Sequence, residues 1–216
     1  VITVTPGGDL PRWVKDEIVR STPKVRRDAA LQELRLGLGS YSVERYRQAA
    51  NALRKAKDLA PRAATVRELL GLSLYQLEEW DVALRELRTY RRLTGDTTHL
   101  AEEMDCLRAM NRPADVAKTW ATFEELGADR DAEDEIRVVY ASHLLDSGNI
   151  AAAWRVIKPA RLSASAPEPA LRRWAVAARV AKASGDMATA RTLVEAIRKQ
   201  APDAEWLEDL QSMIGS

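Results

Sequence analysis

Apolar residues recur along this chain at helical rather than alternating spacing, and the first clear stripe lies near the start. Trp13, Val14 and Ile18 share one face behind Pro11, a residue that suits a first helical turn, so a helix beginning at Asp9 or Leu10 is predicted to cap the N-terminal end. Thr22-Pro23 ends it. A second helix, about Lys24 to Leu38, carries Val25, Ala29, Leu31, Leu34 and Leu36. The preceding residues 1–9 alternate β-branched positions and finish in Pro6-Gly7-Gly8, which predicts an extended arm. Farther on, Ile136, Val139, Tyr140 and Leu144 form another stripe. Trp206, Leu207, Leu210 and Ile214 share the inner face of a closing helix over 203–214. Ser163 to Pro169 is the longest loop candidate and the predicted internal joint.

A period underlies these stripes. The run Leu36-Gly37, Ala49, Ala56, Pro61 returns as Leu70-Gly71, Ala83, Tyr90, Gly95, with a step of 34 residues from Gly37 to Gly71 and from Ala49 to Ala83. Glycine on one helix and alanine on the next let two helices cross closely. Units are thereby predicted at 30–63 and 64–97, then at 98–131 with Met104-Asp105 in place of Leu-Gly and Ala117 at the packing position. Aligning Gly148 with Gly185 adds units at 134–167 and 171–204, with Ala153 and Ala190 at the crossing, and Trp174 and Pro202 at motif positions in the last. This pattern resembles the tetratricopeptide-repeat family. The resemblance implies an all-α, right-handed superhelical solenoid of antiparallel helix pairs, with about five repeats in one body over 10–216 and a capping helix at each end. The Ala/Arg/Asp-rich style, as in Arg85 to Gly95, is also similar to repeat proteins of high-GC actinobacteria that lack an assigned activity.

Composition narrows the function classes. The chain has 216 residues and a formal net charge of +1, which argues against a general nucleic-acid or membrane-surface binder. Charge is nonetheless zoned: +5 over 1–60, −7 over 98–135 and +7 over 136–200. Acidic residues at a helix start complement its dipole, which accounts for much of the run from Asp129 to Glu135. No apolar run approaches membrane-spanning length, and no basic region followed by an apolar helix marks the start. One cysteine, Cys106, cannot form an internal disulfide, and a reducing cytoplasm is the expected location.

The resemblance to the repeat family also implies a concave groove lined by set positions of each first helix. Carried over residue by residue, these include Leu38 and Tyr41, then Leu72, Tyr75 and Gln76, then His99, Glu102 and Cys106, and later Ser142 and Arg179. Leu38, Tyr41, Leu72 and Tyr75 could instead pack on a folded-back N-terminal helix. The carboxylate clamp of some family members is missing, since Leu34, Leu38, Leu69 and Glu103 stand where its donors would be. His99, Glu102 and Cys106 share one helical face, but a set lacking a fourth ligand predicts lining rather than a metal site. No phosphate loop, nucleophile elbow or Cys-x-x-Cys occurs, so neither catalysis nor a cofactor is expected. The expected role is a non-enzymatic scaffold for a protein or peptide partner, as a monomer or weak homodimer, with self-assembly as the alternative.

Overall fold

The computed structural model describes residues 9–159 and 162–215. Among these the fold is all-α: twelve helices and no strand. Apart from Asp9, the predicted arm lies outside the described residues. The chain divides into two compact units, Val1–Arg112 and Pro113–Ser216. The division falls in the Asn111-Arg112-Pro113 turn and not in the loop after Ser163. Hydrogen bonds explain the difference: Gln200 donates to the Ser163 carbonyl (3.0 Å) and accepts from the Ala166 amide (2.7 Å), tying that loop into the second unit.

The first unit holds α1 (Arg12–Ser21), α2 (Lys24–Tyr41), α3 (Tyr46–Leu59), α4 (Ala64–Gln76), α5 (Trp80–Thr94) and α6 (Leu100–Ala109). Val14 and Ile18 are buried on α1, but Trp13, expected to join them, is 55% exposed. The stripe on α2 is Ala30, Leu34, Gly37 and Leu38; Leu36 and Val25 point to solvent, because the buried face follows i, i+4, i+7 from Ala30. The glycines act as their sequence context predicts. A Cβ on Gly37 would meet Leu53 Cγ at 2.5 Å, and one on Gly71 would meet Leu87 Cδ2 at 2.7 Å and the Leu87 backbone nitrogen at 3.2 Å. α1 is anchored by the Glu17 carboxylate, which accepts hydrogen bonds from Ala64 N, Thr65 N and Thr65 Oγ1 in the first turn of α4.

The second unit holds α7 (Pro113–Leu126), α8 (Arg130–Asp146), α9 (Ile150–Ile157), α10 (Glu168–Ala183), α11 (Met187–Gln200) and α12 (Leu207–Gly215). Its main core gathers Ala141, Ala153, Trp174, Ala178, Ala190, Leu193 and Ile197. Ala117, expected at a crossing, is exposed; Val116, Thr119 and Phe123 are the buried residues of α7. The step from the start of α5 to the start of α7 is 33 residues, one fewer than the 34 from α3 to α5, so the fourth residue of α7 is Val116 and not Ala117. The fourth residue of each helix from α3 onward in odd order is then buried: Ala49, Ala83, Val116, Ala153 and Ala190. Two residues before each of these helices, the backbone turns left-handed at Glu44, Glu78, Asn111, Gly148 and Gly185.

Candidate functional site

Tyr41, Glu68, Tyr75, Glu102 and Asp105 converge on one region of the first unit. Three helices supply them. On α2 the row Leu34, Leu38, Tyr41 and on α4 the row Glu68, Leu72, Tyr75 each follow i, i+4, i+7, while His99, Glu102 and Cys106 make the corresponding row at α6. Leu38, Leu72, His99 and Cys106 are buried and form the supporting layer. Tyr41, Tyr75 and Glu102 are half-buried and Gln76 is exposed, so these four reach solvent. α1 is tied to the other end of α4. Glu17 holds it to the first turn of α4, about 15 Å along that helix from Tyr75.

Hydrogen bonds join residues about thirty positions apart. Tyr75 Oη donates to Asp105 Oδ2 (3.1 Å), and Arg108 donates to the other Asp105 oxygen (2.8 Å). The Tyr75 ring meets Trp80 edge-on with centroids 5.6 Å apart, and Tyr41 meets Tyr46 in the same manner at 5.5 Å. Beneath them His99 Nε2 lies 3.1 Å from Glu68 Oε1, and the imidazole sits against the Tyr90 ring at 5.4 Å. Tyr90 Oη donates to Asp96 Oδ2 (2.7 Å). His99 Nδ1 is 3.5 Å from Glu102 Oε1, an ion-pair contact; Nδ1 and Glu102 Oε2 are enclosed and make no hydrogen bond among the described residues.

The titration behaviour follows from burial and charge. Burial opposes a proton on His99, but Glu102 and Glu68 outweigh it and lift the imidazole to about 9, so it is a cation at neutral pH. Burial, reinforced by nearby carboxylates, pushes the Cys106 thiol up to about 12 and leaves it unreactive. Burial also raises Asp105, against the pull of Arg108. Tyr41 rises to about 12, first through burial and then through Tyr46, Glu102 and Glu68; Tyr75 rises as well, with burial and Asp105 as causes. Both phenols therefore remain neutral donors. Among the described residues no group of three His, Cys, Asp or Glu side chains is placed to hold a metal ion, and no helix is long and apolar enough to cross a membrane.

Ser142 and Arg179 belong to the second unit. Ser142 is half-buried on α8. Arg179 stands at the rim of an open hollow of about 330 Å³ bounded by α8, α10 and α12. Asp105 and Tyr90 escaped the sequence reading as site residues, although Asp105 occupies a motif glycine's place and Tyr90 a motif small residue's place. Such substitutions are a signal that something other than close packing occurs there. Comparison with protein-family models, with curated proteins and with solved structures returns no match.

Proposed function

We propose that this chain is a non-enzymatic protein-interaction module of tetratricopeptide type, a solenoid of about five helix pairs that holds a peptide or protein partner on the faces of its first helices. The observation carrying this reading is the pair of half-buried tyrosines, Tyr41 and Tyr75, beside Glu102 and Asp105 on three successive first helices. Tyrosine offers a large rigid contact at small ordering cost, and the neighbouring carboxylates accept donors from a partner. The single buried thiol suits a reducing cytoplasm.

The test begins with a pull-down that identifies a partner and continues with its affinity for Tyr75→Ala and Tyr75→Phe. Removing the ring is expected to weaken binding by about 2 kcal/mol, the scale of an interface hot spot. Tyr75→Phe keeps the ring and loses only the bond to Asp105, so it retains most of the affinity. Circular dichroism should show equal helix content throughout. Equal affinities for wild type and Tyr75→Ala overturn the placement of the site.

Self-assembly is the second reading. It is favoured by exposed apolar side chains on the first two helices: Trp13, Val19, Val25 and Leu36. Sedimentation velocity over a wide concentration range separates the readings. A monomer throughout removes self-assembly.

A further inference from the structure

The hollow in the second unit has a floor of Val176 and Leu210, both buried, and walls of Val138, Ala175, Trp206 and Met213. Its volume of about 330 Å³ stands at the small end of ligand clefts, which run from roughly 300 to 1,000 Å³, and suits a molecule with one sizeable apolar group. Three charged side chains reach it. Arg172 is already engaged, 2.9 Å from Glu168 and 3.7 Å from Glu135. Arg179 and Asp209 make no ion pair or hydrogen bond among the described residues, with each other or with any other group. A basic and an acidic side chain thus stand unpaired at the mouth of one apolar hollow.

An apolar anion would meet Arg179 but be repelled by Asp209, and an apolar cation would suffer the reverse. An occupant that satisfies both carries both charges next to an apolar body. We propose that this hollow binds a free apolar α-amino acid: its carboxylate on Arg179, its ammonium on Asp209, and its side chain against Trp206, Val176 and Leu210. The site is independent of the Tyr75 face, and its ligand is a small molecule.

Isothermal titration of the whole chain with L-phenylalanine tests it, with phenylalanine amide and N-acetylphenylalanine as probes that each lack one charge. L-Phenylalanine is expected to bind, and each blocked derivative to bind at least about tenfold more weakly, the size of one lost charge-assisted hydrogen bond. Glycine, with no apolar body, should give no heat of binding. Arg179→Gln should erase the preference for phenylalanine over its amide, and Asp209→Asn the preference over the N-acetyl form. Ala175→Leu fills the hollow and should abolish binding at unchanged helix content. The proposal is overturned by no binding at about 10 mM, well beyond the millimolar range where affinity is about −4 kcal/mol. It is equally overturned if N-acetylphenylalanine binds as tightly as the free amino acid, which would indicate a peptide C-terminus, or if Ala175→Leu binds as well as wild type.

Discussion

His99 shows at the scale of one residue how burial and charge compete. Its imidazole is 4% exposed, yet the carboxylates of Glu68 and Glu102 hold its proton up to about 9, against 6.5 for the free side chain. The folded chain therefore keeps a proton that the unfolded chain releases. That stabilisation is complete below pH 6.5 and is lost as the pH rises through about 9, with a ceiling of about 3 kcal/mol from the shift. Cys106 and the raised tyrosines release their protons at higher pH and add to the loss beyond that window. Urea denaturation at pH 6, 7.5 and 9 should show stability falling across this range, and His99→Gln should flatten the fall. Gly71 is a steric counterpart. Gly71→Leu should lower stability by about 1–3 kcal/mol, read from the denaturation midpoint, because the Leu87 backbone cannot withdraw as a side chain could. The Leu-Gly spacing marked this crossing in the sequence, whereas Tyr41 and Tyr75 were reached through the resemblance to the repeat family, whose groove positions they occupy. The bonds from Tyr75 to Asp105 and from His99 to Glu68 were not, since pairing between separate helices leaves no spacing to read.

At the scale of the element, the turns leading into α3, α5, α7, α9 and α11 repeat more faithfully than the side chains do. Each has a left-handed residue two positions before that helix, occupied by Glu44, Glu78 and Asn111 and then by Gly148 and Gly185. Open space surrounds both glycines, so their value lies in the backbone alone. Gly148→Ala is expected to cost about 1 kcal/mol, the penalty of placing a Cβ in that conformation. Glu78→Gly should raise stability by a fraction of that, the relief being offset in part by the freedom glycine adds to the unfolded chain. Thermal melts of the two variants should move in opposite directions. Sequence periodicity located the helices well where Gly and Ala kept their register. It failed at Ala117, because α7 begins one residue early for the period and Val116 takes the buried position. The hollow beside Arg179 had no sequence signature, because its wall is completed by Trp206, in the turn before α12, and by Met213 on α12, the closing helix that begins at Leu207 and not at the predicted 203.

At the scale of the whole molecule, the acidic run before α8 is largely paired with neighbouring groups. Of the acidic run before α8, Asp129 caps the helix by accepting from Ala132 N (2.9 Å), and Asp134 is buried against Arg173 (2.8 Å). Arg173 also donates to the carbonyls of Ile157 and Lys158, joining α8, α9 and α10 through one side chain. Glu133 pairs with Arg137 and Glu135 faces Arg172, so this segment is no free acidic tail. The burial of Cys106 has a different consequence, kinetic and practical. It is the chain's one thiol, fully enclosed on α6 and held neutral, so an alkylating reagent gains access only when the first unit opens. The native chain should resist iodoacetamide at neutral pH, and its labelling rate in dilute urea should follow the population of the open form. Cys106 would then serve as an internal clock for that unit, while a cysteine placed on an exposed position such as Ala117 takes a fluorophore selectively with the native thiol left in place.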